Sequence, residues 1–276
     1  MGYIDAHSHV WTPDIASYPL DPTYTPADMV PASFTADDLL AQANPHGVDR
    51  VVLIQMSFYG FDNSYMLSEI ARRPETFRGV GIVDHTRPDL GEEMARLREA
   101  GVRGFRIYQC GEFGTQPIDE HYREICGLAG ELGMAICPLL DAELIPATAR
   151  AAAAFPKTPF VVDHLGRIGC GQPIDPAHVV ALCGLAALPN CNVKVSAFYA
   201  LGAGRAPYDD LVPVVQQVHE AFGADRLLWA TDCPYQLVDN TYADSLSFVR
   251  DRLPFLSDGD REAMLRGTSE RIFFGA

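Results

Sequence analysis

The opening residues Asp5-Ala6-His7-Ser8-His9 carry the most concentrated chemistry in the chain. Side chains at alternate positions of an extended strand share a face, so Asp5, His7 and His9 are expected together, with two imidazoles side by side. Such a pair chelates a cation. Without one, each buried imidazole needs another hydrogen-bond partner, and every unsatisfied group costs about 1–3 kcal/mol. Two later apolar runs end on residues of matching kind. Phe160-Val161-Val162-Asp163-His164 ends at a histidine before Gly166, and Leu227 to Asp232 ends at a carboxylate before Pro234. Alternation puts His164 on the face of Phe160 and Val162, taken as inward, and Asp232 on the face of Leu228 and Ala230. His7, His9, His164 and Asp232 form a nitrogen and oxygen set suited to one divalent ion, Zn²⁺ first and Mn²⁺ second, with a position open for water. A carboxylate beside metal-bound water can take its proton as attack begins, and Asp232 is the residue for that task. The opposing reading makes Asp232 a loop cap and His164 an ordinary core residue.

Other polar residues stand where strands should end. In Gly104-Phe105-Arg106-Ile107-Tyr108, Arg106 and Tyr108 face inward together, and a guanidinium there can grip a carboxylate through two parallel bonds. The alternative for Arg106 is an ion pair with Asp84 or Asp141. His85 is expected to point into the same mouth, on the face of Gly79, Gly81 and Val83, where it binds substrate or supports a neighbour. Gln55 shares a strand face with Ser57 and Tyr59 and is expected, with Tyr108, to bind substrate, and Lys194 shares a face with Ser196 and Phe198. Lysine inside a buried strand is unusual, so Lys194 serves either the substrate or an internal salt bridge. Cys233 points away from Asp232 and is discounted as a nucleophile.

The elements that must hold these residues are short β-branched runs separated by amphipathic segments, the pattern of βα units around a parallel sheet. Eight runs are present, over 3–9, 51–57, 80–85, 104–108, 134–139, 160–164, 192–198 and 227–232. With 276 residues, each unit has about 34, near the length of a strand, a helix and two loops. Thr35 with Asp38 reads as a capping box, Asp89 opens a helix that Gly101 closes, and Ser257 to Asp260 opens the last one. With no linker and no low-complexity segment beyond Ala151 to Ala154, residues 1–276 read as one α/β domain, a (β/α)₈ TIM barrel. Its first connection, Trp11 to Ser33, is long and Pro-rich. It follows strand one and so lies on the C-terminal face, where the active sites of this fold are found. It is expected to be a lid or pocket wall, with Trp11 at the substrate, or else a rigid loop over the barrel mouth.

Composition removes several functions. Apolar residues make up 48% and charged residues 21%, and the formal charge of −15 opposes binding to nucleic acid or anionic lipid. No apolar stretch approaches the roughly 20 residues needed to span a bilayer. The first residues contain neither a basic nor an apolar leader region, so a cytoplasmic protein is expected. Seven cysteines without a C-x-x-C pair read mostly as small buried hydrophobes.

The combination of D-A-H-x-H at 5–9, D-H-x-G at 163–166 and T-D-x-P at 231–234 resembles the amidohydrolase superfamily. Within it, Val10-Trp11, Tyr18-Pro19 and the closing Gly267-Thr268-Ser269-Glu270-Arg271-Ile272-Phe273 resemble the branch of 2-pyrone-4,6-dicarboxylate, L-fucono-, L-rhamnono- and 4-sulfomuconolactonases. The resemblance implies a distorted barrel with His7, His9, His164 and Asp232 at the metal positions, and hydrolysis of a lactone with Asp232 activating water. Metal use varies in that branch, so the resemblance leaves the site filled or empty. Strand four lacks the residue that bridges two metals in dinuclear relatives, which limits the site to one ion. The expected substrate is a small anionic or sugar lactone, with His164 and Arg106 assisting Asp232. A non-oxidative decarboxylase, whose related barrels usually carry a second histidine near the metal downstream of the one at 164, and a non-catalytic ligand-binding barrel are the alternatives, and association into a homo-oligomer stays open.

Overall fold

Eight parallel strands lie side by side in chain order: β1 (Tyr3–Ser8), β2 (Val48–Ile54), β3 (Phe77–Gly81), β4 (Val102–Gln109), β5 (Ala135–Leu140), β6 (Phe160–Val162), β7 (Cys191–Val195) and β8 (Leu227–Trp229). The structure, a computed structural model, describes residues 2–110 and 116–275. Beyond the end of β8 the chain returns to β1. Ser8 and Cys233 form a parallel bridge, His9 N donates to Cys233 O (2.7 Å) and Asp232 N donates to His7 O (2.8 Å), which closes a TIM barrel.

Helices alternate with the strands: α1 (Ala36–Ala43), α2 (Ser64–Arg72), α3 (Leu90–Glu99), α4 (Ile118–His121), α5 (Arg123–Leu132), α6 (Ile145–Ala154), α7 (Pro176–Gly184), α8 (Val212–Phe222), α9 (Tyr242–Asp251) and α10 (Asp258–Glu262). Their ends follow local chemistry. At α1, Thr35 Oγ1 accepts from Asp38 N (3.2 Å) while the Asp38 carboxylate accepts from Thr35 N (2.8 Å), which satisfies two otherwise unpaired donors of the first turn. Ser257 and Asp260 repeat the arrangement at α10. Among the described residues, no helix is long and apolar enough to cross a membrane.

Alternation along the strands sorts the apolar residues into two clusters. Val52, Val80, Cys137, Val161 and Leu228 fill the barrel interior, with Phe273 of the C-terminal segment packed among them. Leu53, Phe105, Phe160, Val162 and Trp229 belong to the larger layer shared with the helices. This sorting corrects the expected face of β6. Phe160 and Val162 point outward, whereas Val161 and Asp163 point inward.

Strand β1 departs from simple alternation as well. Asp5 stands opposite Val51 but Ser8 stands opposite Leu53, so three steps on β1 match two on β2. The irregularity separates Asp5 from the histidines, contrary to expectation. Asp5 is fully buried and accepts from Thr231 N (3.0 Å), Ser8 Oγ (2.9 Å) and Tyr242 OH (2.9 Å), tying β1 to the chain after β8 and to α9. Strand β3 ends at Gly81, four residues before His85, and its inward residue is Val80, so the face of Gly79 and Gly81 expected to point into the mouth points outward.

Candidate active site

At the C-terminal end of the barrel, residues following β1, β6 and β8 converge. His9 Nδ1 lies 2.9 Å from Ile54 O, an atom that can only accept, so Nδ1 carries the proton and Nε2 presents its lone pair. That lone pair faces Asp232 Oδ1 at 3.0 Å. Two acceptors at this separation require a cation or a second proton on His9. His7 Nε2 lies 3.4 Å from the same oxygen, and His164 Nε2 lies 3.8 Å from Oδ2. Ligand atoms of His7, His9 and Asp232 all fall within 4.8 Å of one another. These residues can hold a divalent metal ion, and the opposed acceptors of His9 and Asp232 are what such an ion would reconcile.

Burial sets the charge state of the imidazoles. It pushes His7 well below the ordinary histidine value, aided by the nearby Lys194 ammonium, and pulls His164 down to about 4 despite the Asp232 and Asp163 carboxylates. Both rings are therefore neutral near pH 7. Burial raises Asp232, but the polar surroundings made by His164, His9 and His7 outweigh it, and the carboxyl stays below its usual range. Tyr199 OH donates to Asp232 Oδ2 at 2.7 Å. His164 Nδ1 and Ser196 Oγ are 2.9 Å apart, which fixes the ring with Nε2 toward Asp232.

The backbone that presents these groups is unusual. His164, Leu165 and Arg167 have φ of 53°, 51° and 54°, and Ala197 and Asp232 have 55° and 65°. Left-handed conformations of non-glycine residues cost about 1–3 kcal/mol each and gather where the surrounding fold enforces them for a purpose. His164 owes its inward position to this turn, since its strand parity points outward.

A cleft of about 270 Å³ opens above the cluster. His9, His164 and Asp232 form its polar floor, and Arg106, Tyr108, Arg167, Tyr199 and Tyr235 rise around it. Arg106 Nη2 lies 3.1 Å from Asp163 Oδ2, so its ion pair is with Asp163 and not with Asp84 or Asp141. Its guanidinium carbon is 5.5 Å from the Tyr108 ring centre, and its Nε is buried with no hydrogen-bond partner among the described residues.

Four residues expected at the substrate lie elsewhere. Gln55 follows the outward parity of Val51 and Leu53, and its amide donates to Asp62 O (2.6 Å). His85 lies beyond the short β3 and packs on Tyr122 and His121, with ring centres 4.7 and 5.0 Å away. Lys194 is inward as expected but fully buried, 2.9 Å from Asp163 Oδ1, so it serves the internal salt bridge. Trp11 is also fully buried. Its Nε1 donates to Pro31 O (2.8 Å) while its ring meets Phe34, Phe58 and Tyr235, which makes the first connection a wall one layer behind the cleft. Cys233 faces away from the site in the outer apolar layer, and all seven cysteines are free.

Asp163, Arg167, Tyr199 and Tyr235 were not singled out from the sequence. Correct parity for β6 finds Asp163, because Val161 is interior. Arg167 directly follows the D-H-x-G motif but reaches the cleft through its left-handed backbone. Tyr199 and Tyr235 lie in loops, where no periodicity marks them.

Comparison with known proteins gives a consistent result. The family model described as amidohydrolase matches residues 4–275. A 2-pyrone-4,6-dicarboxylate hydrolase of Comamonas testosteroni is 30% identical over 257 residues, covering 89% of this chain and 81% of its own. A 4-sulfomuconolactone hydrolase of Rhizobium radiobacter is 28% identical over 236 residues, covering 85% and 76%. An amidohydrolase from Burkholderia multivorans, solved with bound zinc, superposes with a TM-score of 0.84 at 23% identity and full coverage of both chains.

Proposed function

The chain belongs to the amidohydrolase family, and from that premise we propose that it is a hydrolase that opens the ring of a small anionic lactone. The observation that carries the reading is the carboxylate of Asp232, held among three imidazoles at the floor of a cleft whose wall contains Arg106 and Arg167. Both named relatives are hydrolases, one of a lactone and one of a pyrone dicarboxylate.

In the reaction, the lactone carbonyl approaches the Arg106 guanidinium at the cleft wall, whose positive charge stabilises the negative charge that builds on the carbonyl oxygen. Water attacks from the side of Asp232, which takes its proton and returns it to the ring oxygen as the acyl bond breaks. Tyr199 donates to one oxygen of Asp232 and holds the carboxylate in place for both transfers. Arg167, whose Nη1 is shared with Asp141 (2.6 Å), binds an anionic substituent of the substrate. His7, His9, His164 and Asp232 are the residues that would hold Zn²⁺, which when bound polarises the carbonyl or lowers the pKa of water.

Decarboxylation fits less well. The histidines after His164 are His178 and His219, and they sit on α7 and α8 beside Glu143 (3.8 Å) and Asp260 (3.7 Å), away from the cleft. Proton release near neutral pH from a panel of sugar, carboxylated and sulfonated lactones tests the reading, with metal content determined on the same sample. Turnover of an anionic lactone is expected. Release of CO₂ from an aromatic acid, with no lactone turned over, would overturn it.

A further inference from the structure

Beneath Arg106 lies a ring of four buried groups. Lys194 Nζ is 2.9 Å from Asp163 Oδ1, Asp163 Oδ2 is 3.1 Å from Arg106 Nη2, Arg106 Nη2 is 3.0 Å from His7 Nε2, and His7 Nδ1 is 3.2 Å from Lys194 Nζ. Lys194, Asp163 and His7 are fully buried, and of the four only Arg106 lines the cleft. The ring of Phe273 also packs on the ammonium, with its centre 5.7 Å from Nζ.

This arrangement does two things for Arg106. A guanidinium on a flexible stem does not keep an orientation by itself, and the ion pair of Nη2 with the fully buried Asp163 restrains the head group. The charge count matters equally. Asp163 paired with Arg106 alone would cancel the guanidinium, but its charge is shared with Lys194, so the three together carry a net positive charge and Arg106 is the member that presents it to the cleft.

We propose that Asp163 is a positioning residue for lactone opening, acting through Arg106, with Lys194 as its counter-ion. The inference rests on the role given to Arg106 above. Neither Asp163 nor Lys194 touches the substrate.

A double-variant cycle on the best lactone of the panel tests it. Asp163→Asn is expected to lower kcat about 100-fold, the scale of a misplacement near 1 Å, with KM changed only a few fold. Arg106→Gln should lose at least as much, and Asp163→Asn combined with Arg106→Gln should be no slower than Arg106→Gln alone, because Asp163 then has nothing to position. Should Asp163→Asn fail to fold, Asp163→Asn with Lys194→Met removes both charges together and is expected to fold with the same loss in kcat. Independent, multiplying losses from the Asp163 and Arg106 variants would overturn the positioning role while leaving that of Arg106 intact. Wild-type kcat in Arg106→Gln would overturn both.

Discussion

At the lower end of the barrel, Val52, Val80, Val161 and Leu228 turn inward by strand parity and meet around Phe273. At the mouth, His164, Leu165, Arg167, Ala197 and Asp232 all hold left-handed backbone, and three of them carry functional groups into the cleft. The same eight strands thus obey regular geometry at one end and depart from it at the other. Apolar burial rewards any residue of suitable size, so the lower end needs only the pattern. Chemistry needs particular atoms within a fraction of an ångström, and the mouth accepts backbone strain to place them.

The largest effect should come from Asp232→Asn. The substitution preserves size but removes the base, and turnover should fall about 10³-fold or more while the melting temperature stays close to wild type. Near wild-type activity in that variant would detach the chemistry from the mouth altogether.

Lys194→Met probes the boundary between the two ends, where charge first enters the apolar interior. It leaves the fully buried Asp163 with one cation instead of two and should destabilise the fold by about 3 kcal/mol in denaturant titration. The exposed pair of Arg96 and Glu93 offers the contrast, since Arg96→Gln should change stability by less than about 0.5 kcal/mol. Equal effects at the two pairs would mean that water reaches the ring beneath Arg106.

Much of this architecture is legible in the sequence. The eight apolar runs locate the eight strands, the capping boxes at Thr35 and Ser257 mark helix starts, and the parity of β4, β7 and β8 places Arg106, Lys194 and Asp232 inward. Legibility fails where the backbone leaves regular geometry. The irregular pairing of β1 separates Asp5 from His7 and His9, and β3 ends before the predicted run does, which leaves His85 on the wall of α4 and α5. His164 was assigned to the site by the wrong parity and reaches it through a left-handed turn. The wrong parity hid Asp163, and Tyr199 and Tyr235 depend on loop conformations that no local pattern encodes.

Arg167 sharpens the comparison on the functional side. Its side chain is partly exposed at the cleft and shared with Asp141, so its contribution is to binding rather than to the reacting bond. Arg167→Gln should raise KM for an anionic lactone about tenfold, equivalent to about 1.4 kcal/mol, with kcat nearly unchanged, and should leave a neutral sugar lactone unaffected. Steady-state kinetics on the two substrates separates the outcomes. An equal loss for both would remove the basis for an anionic substrate.

The smallest effect is the most direct test of strain. Ala135 lies in regular β5 and Ala197 is left-handed, and both are buried. Replacing either by glycine removes one methyl group, worth about 0.8 kcal/mol, and adds about 0.5–1 kcal/mol of backbone entropy to the unfolded chain. At Ala135 the two losses add, for a destabilisation of about 1.5 kcal/mol. At Ala197 glycine also releases the contact between Cβ and backbone, worth roughly 1–2 kcal/mol, so the net change should be near zero. Denaturant midpoints of the two variants measure the difference directly. If Ala197→Gly loses as much as Ala135→Gly, the mouth of the barrel holds no strain at that position, and the contrast between its two ends is one of chemistry alone.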